Sequence, residues 1–196
     1  MSRPLEAFTI ETGDWTAHYV RQVVPPSTPG AWAFPVGNAK YPPEMWYAAN
    51  FHSPHGELGY WHAGIDLNLD IAPRGDIERQ LGLAIYAVAD GTVTYVTESW
   101  SGVPMIVVQH EHAGAPLWVR YAHIVPVVQV GEVVTAGQKL GAFADWKTGD
   151  HLHFDCAQVP YSTEYLSSGI AFMDPVPVLK AHLDAALVDA LLARGG

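Results

Sequence analysis

Cysteine is almost missing from this chain. Cys156 is the only one in 196 residues, so no internal disulfide can form. Positive charge is scarce: ten Lys plus Arg stand against twenty Asp plus Glu, a formal net charge of −10. No basic stripe is present for a phosphate backbone or an anionic membrane surface, which argues against nucleic acid and membranes as partners. Long apolar runs are lacking too, and none reaches the ~18 residues of a spanning helix. The opening Met1-Ser2-Arg3-Pro4-Leu5-Glu6 has no basic stretch leading into an apolar run, so no secretory leader is expected there. Charged residues of both signs make up only 15 %, against 49 % hydrophobic. A disordered chain shows the reverse balance, so this one folds around a core.

Turn-forming residues are plentiful, with 18 Gly and 15 Pro. That suits a loop-rich β protein, and the length suits one domain with short extensions. Strand signals recur about every ten residues, with turns between them. They read Phe8–Glu11, His18–Val24, Gly64–Leu69, Ala84–Ala89, Thr92–Thr97, Pro104–Gln109, Leu117–Ile124, Lys139–Phe143 and His151–Ala157. Asp90-Gly91 predicts a tight hairpin between two of them, and His112-Ala113-Gly114-Ala115 another turn. The expected class is mainly β, an antiparallel sheet or sandwich core with long loops. After Asp174-Pro175, leucines at 179, 183, 187 and 191 predict one amphipathic helix over roughly 178–193. Its stripe reads as packing on the domain, hence a monomer, rather than as a dimer face. The expected organisation is an N-terminal extension over 1–30, a domain over 31–179 and the helix over 180–196.

Ten histidines, as many as Lys plus Arg, prompt a search for metal ligands. In Trp61-His62-Ala63-Gly64-Ile65-Asp66, the imidazole and the carboxylate are four apart. An extended strand has a side-chain period of two, so both point to one face, and both suit zinc. Ala63 and Gly64 leave room for a close approach. His151 and His153 likewise share a face, while Leu152 and Phe154 take the apolar one. A solvated polar face would also explain such a pair. His123 closes the strand Arg120-Tyr121-Ala122-His123, where alternation puts it on the face of Tyr121. His110-Glu111-His112 sits where a strand runs out into a turn, a cheap place for solvated histidine. His52 and His55 read as loop residues. Cys156 is at odd offsets from His151 and His153, so it reads as a reduced core thiol facing the other way.

The order H-x3-D, then Tyr-Ala-His, then H-x-H resembles the lysostaphin-type (LytM-like) zinc endopeptidases that cut peptidoglycan. The resemblance runs from about Ala31 to Leu179. It includes Tyr86-Ala87-Val88-Ala89-Asp90-Gly91-Thr92-Val93, similar to the family's strand–turn–strand, and Val130–Gly141, similar to its turn segment before H-x-H. It implies a fold with hybrid-barrel-like turn segments. It also implies one Zn²⁺ ion held by His62, Asp66 and His153, with His123 and His151 as the two catalytic, non-ligand histidines. Peptide bonds in stem or cross-bridge peptides would be hydrolysed through a metal-activated water, with the two histidines dividing the parts of base and donor. Asp150 or Asp155 could orient one of those imidazoles, though a place on the surface suits both acids equally well. The family's additional tyrosine or asparagine has no secure equivalent; Tyr60 and Asn50 are candidates.

The resemblance implies action at the cell envelope or outside the cell, by a route other than a visible leader, delivery by a phage included. Residues 1–30 are too few for a wall-binding module. Two other readings stand beside this one. A catalytically inactive relative would regulate other wall hydrolases, but such proteins lack ligands and all five positions are filled here. A histidine phosphocarrier of the sugar phosphotransferase type shares the turn segments, but it needs no acid beside its first histidine, where Asp66 stands.

Overall fold

The computed structural model describes residues 6–12, 15–21, 32–37, 43–45, 51, 62–69, 81–146, 150–164 and 169–192. Near the N-terminus, β1 (Glu6–Thr12) and β2 (Trp15–Arg21) form an antiparallel hairpin. The main sheet has eight antiparallel strands. Its path runs β10 (Val133–Val134), β6 (Gly91–Trp100), β7 (Val103–His112), β8 (Ala115–Ala122), β12 (Leu152–Ala157), β4 (Gly64–Leu69), β3 (Pro43–Met45). A short strand, β13 (Phe172–Met173), pairs with β12. A second sheet joins β5 (Ala84–Tyr86), β11 (Lys139–Phe143) and β9 (Ile124–Pro126) in the order β5–β11–β9.

Two apolar layers cover the main sheet. On one face Ile65, Leu67, Ile106, Val108, Tyr121, Leu152 and Phe154 pack with Ile85, Ile124, Leu140 and Phe143 of the smaller sheet. On the other, Met105, Val107, Ala122, Ala157, Tyr161 and Phe172 form a smaller cluster. β7 is therefore buried on both sides, which is why it reads as a near-continuous apolar run rather than an alternation.

Two expectations change. Asp90-Gly91 is no hairpin: β5 pairs with β11 in the small sheet, β6 with β7 and β10 in the large one, so the dipeptide carries the chain between sheets. Asp90 is used there because its Oδ1 accepts the Ala136 N–H at 2.9 Å, and Gly91 because a Cβ would lie 2.5 Å from the Gln109 carbonyl. The single C-terminal helix is two short ones. The first, α1 (Pro175–His182), is capped by Asp174, whose Oδ1 accepts the Val176 N–H at 3.0 Å. Leu183 is extended, and α2 (Ala185–Leu192) follows. A four-residue leucine spacing fits two consecutive helices as well as one. Val178, Leu179 and Val188 are buried in the larger core. The end of α1 is tied to the sheet by His182, whose ring stacks on Trp32 at 4.0 Å and lies 2.8 Å, Nε2 to Nδ1, from His112.

β4 and β12 approach closely because Gly64 has no side chain. A Cβ there would collide with the Phe154 carbonyl. Gly64→Ala should therefore push the two strands apart and destabilise the fold by about 1–3 kcal/mol. A lowered thermal midpoint by circular dichroism reads this, and an unchanged midpoint would contradict it.

Candidate metal centre

β12 lies between β8 and β4 in the sheet, and its register places His153 directly opposite Asp66 on one side and Ala122 on the other. His62 precedes β4 by two residues, so it falls on the same face as Asp66. All three side chains are buried. His62 Nε2 is 2.8 Å from His153 Nδ1 and 3.2 Å from Asp66 Oδ1, and His153 Nδ1 is 3.1 Å from that same oxygen. Burial alone would raise the Asp66 pKa, but the imidazoles of His151, His153 and His62 around it outweigh this and hold the carboxyl well below its usual range.

His153 is held from behind. Its Nε2–H donates to Asp155 Oδ2 at 2.8 Å. That oxygen also accepts from Arg120, through Nε at 3.0 Å and through Nη2, and Tyr161 O–H donates to Asp155 Oδ1 at 2.6 Å. Arg120 and Asp155 are fully buried. Burial would raise the Asp155 pKa, yet the Arg120 guanidinium beside it brings it below its ordinary value. An ionised Asp155 can only accept, so the His153 proton is fixed on Nε2 and the Nδ1 lone pair faces His62 and Asp66. Burial pulls the His153 pKa down, but Asp155 and Asp66 carry it above the usual value. Neither Asp155 nor Asp150 is a surface residue. Asp155 orients His153 rather than His123 or His151, and Asp150 Oδ1 accepts the Trp146 N–H at 2.7 Å. Asp155→Asn should lower metal affinity about 10–100-fold without unfolding the protein, measured by competition with a chromogenic chelator. Unchanged affinity would remove Asp155 from this role.

His151 and His123 stand beside the trio. His151 Nε2 is 3.5 Å from Asp66 Oδ2, the other oxygen of the carboxylate. The rings of His123 and His151 meet edge to face at 4.6 Å. His123 does not share a face with Tyr121. Tyr121 points into the larger core, where its hydroxyl is 3.0 Å from His110 Nε2 and accepts the Val88 N–H at 3.0 Å. Regular alternation would send His123 there as well, but its φ of 64° breaks the strand and turns it toward His151. Its Nδ1 is buried with no hydrogen-bond partner. Burial, with the charges of His151 and His153, pushes its pKa down to about 2, so it is neutral at ordinary pH.

The remaining candidates lie elsewhere. His110 is buried, not solvated. It bonds Asp90 O through Nδ1 at 3.0 Å as well as Tyr121, and burial pushes its pKa down to about 4. Cys156 is in the larger core, and burial raises its thiol pKa. Tyr60, Asn50, His52 and His55 lie outside the described residues. Arg120, Tyr161, Trp100 and Trp146 were not anticipated. Trp100 has its ring 5.5 Å from that of His153 and 5.7 Å from that of His123, and the Arg120 guanidinium lies 4.3 Å over it.

His62, Asp66 and His153 each offer one atom to a common point, the one such group of three found among the described residues. The donor chemistry fits a cation. An ionised carboxylate oxygen and an imidazole lone pair 3.1 Å apart repel each other unless a proton or a metal lies between them. Two imidazoles and one carboxylate make a three-ligand set that leaves a coordination position open.

Comparison with known proteins decides the family. Residues 62–164, which contain all five of these histidines and acids, match the model of peptidase family M23. The chain belongs to peptidase family M23. Its fold is similar to the solution structure of lysostaphin, at 26 % identity and a TM-score of 0.52 over 72 % of this chain and 51 % of that one. The chain thus spans about half of the lysostaphin length. The catalytic domain of lysostaphin from Staphylococcus simulans matches over 69 % of this chain and 91 % of that one, at 26 % identity and a TM-score of 0.50. LytU shares the fold, with 22 % identity and a TM-score of 0.53 over 78 % of this chain and 95 % of that one. No curated protein matches. Among the described residues, no helix is long and apolar enough to cross a membrane. The resemblance read from the motifs and the mainly antiparallel β architecture therefore stand as the M23 peptidase family and its lysostaphin-like fold.

Proposed function

We propose that this M23 chain is a zinc-dependent endopeptidase acting on peptidoglycan stem or cross-bridge peptides, at the cell envelope or outside the cell. The observation that carries this reading is the meeting of His62 Nε2, Asp66 Oδ1 and His153 Nδ1 within 3.2 Å of one another, with His151 and His123 alongside. In this reading the first three hold one zinc ion. The ion, when bound, supplies Lewis acidity and makes water a competent nucleophile near neutral pH. The protein does the rest. Asp155 and Arg120 keep the His153 tautomer that offers Nδ1. Asp66 is ionised without needing a pH change. His123 and His151, outside the ligand set, move the protons: one takes a proton from the attacking water and the other delivers one to the departing amine. A neutral His123 with an unpartnered Nδ1 has a ring nitrogen able to accept a proton or a hydrogen bond, and it can deliver a proton only after taking one up. The peptide substrate rests on the family and on the lysostaphin-like fold, because the composition identifies none.

The test is mass spectrometry of purified peptidoglycan after digestion, with and without a chelator. New peptide termini that vanish with chelator and return with zinc are expected. No new termini under any condition would leave a protein that binds wall material or other hydrolases without cutting.

A further inference from the structure

We propose that Trp146 is a positioning residue for His123, holding its imidazole in the orientation that the proton-transfer step needs. This rests on the reading above, in which His123 handles a proton. The backbone of His123 is pinned on both sides: its N–H donates to Pro104 O at 3.1 Å, and its carbonyl accepts the Ala144 N–H at 3.0 Å. The ring is not pinned in that way. Nδ1 has no hydrogen-bond partner although the residue is only 5 % exposed. Metal-site histidines are ordinarily oriented by a hydrogen bond to the far nitrogen, as Asp155 does for His153. His123 relies on packing instead. Trp146 stacks on it with centroids 4.6 Å apart and planes 25° apart, close to an offset-stacked pair. His151 meets it edge-on at 4.6 Å, and Trp100 lies tilted at 5.7 Å.

Trp146 is itself placed by the segment that carries the other histidine. Its N–H donates to Asp150 Oδ1 at 2.7 Å, and the buried Asp150 immediately precedes His151. The indole edge reaches across to the β6–β7 turn, where a Cβ on Gly102 would be 3.9 Å from Trp146 Cζ3. One side chain thus spans from the β11–β12 connection to the β6–β7 turn with the His123 ring beneath it.

The experiment compares Trp146→Ala, Trp146→Phe and His123→Ala with the parent chain. It reads zinc content, thermal midpoint, kcat and KM on soluble cross-linked muropeptides, and the His123 ring resonances by imidazole carbon–proton correlation spectra. Trp146→Ala should lose about 10²-fold in kcat, the scale of a small misplacement of a reacting group, with KM, zinc content and thermal midpoint unchanged. Trp146→Phe, which keeps a stacking face, should recover most of that loss. The His123 ring protons should move downfield in Trp146→Ala as the indole ring current is removed. A raised KM with kcat intact would make the indole a wall for substrate and overturn the proposal, as would unmoved His123 resonances. If His123→Ala cleaves normally, the proposed role of His123 fails instead. The resonance measurement decides whether Trp146 holds the ring even where no cleavage is seen.

Discussion

His153→Ala is expected to lose the zinc ion and the wall-cleaving activity together. The residue sits on β12 between β8 and β4 and faces Asp66 across the register, so no neighbour can supply its Nδ1. Fold collapse is not the expected cause. The larger core packs on the opposite face of β12 through Leu152, Phe154 and Cys156, and Asp155 keeps Arg120 and Tyr161 as partners. The variant should contain close to no zinc by elemental analysis and should release no new peptide termini. A third readout does not depend on catalysis. Ligands that bind only the folded state stabilise it, by about 2.7 kcal/mol at a hundred times Kd, so the parent chain's thermal midpoint should rise with added zinc and the variant's should not. Retention of a full complement of zinc by this variant would remove His153 from the ligand set.

His123→Ala and His151→Ala should behave in the opposite way, keeping zinc while losing about 10²-fold or more in rate. The two oxygens of Asp66 support this division. Oδ1 faces His62 and His153, whereas Oδ2 is 3.5 Å from His151, so removing His151 leaves the three-atom meeting point intact. His123 makes no hydrogen bond to Asp66, and its ring centroid lies 6.2 Å from that of His153. Zinc content and cleavage rate must therefore separate in these variants as they do not in His153→Ala. A zinc-free His151→Ala would place that imidazole among the ligands.

Much of this centre is legible in the sequence because strands carry a strict period of two. Asp66 and His153 fall on one face of their strands, Ile65, Leu67, Leu152 and Phe154 on the other, and only pairing was needed to bring the polar faces together. The supporting residues were less visible, for definite reasons. Arg120 alternates with Val119 and Tyr121 and so looks like a solvent-facing strand residue, but the second apolar layer with Tyr161 and Phe172 covers that face. Asp155 pairs with Arg120 across 35 residues, a distance that spacing does not encode. The orientation of His123 depends on one backbone angle that breaks the period itself. His110 looked solvated at a strand end because the chain that buries it comes from Asp90 and Tyr121, not from its own neighbours. Asp90-Gly91 carried a real turn signal, but the partner of each flanking strand is set by long-range pairing.

The margins of the main sheet are short. One outer strand, β10, has two residues and the other, β3, has three and begins with Pro43, which has no N–H to offer. Unpaired strand margins are the usual templates on which a second copy adds by backbone hydrogen bonding, and brevity and proline both blunt them. Val133 on β10 is 74 % exposed, yet it stands on a margin too brief to recruit a neighbour. Sheet extension from these two ends is thus disfavoured, and a second copy finds little backbone there on which to add a strand.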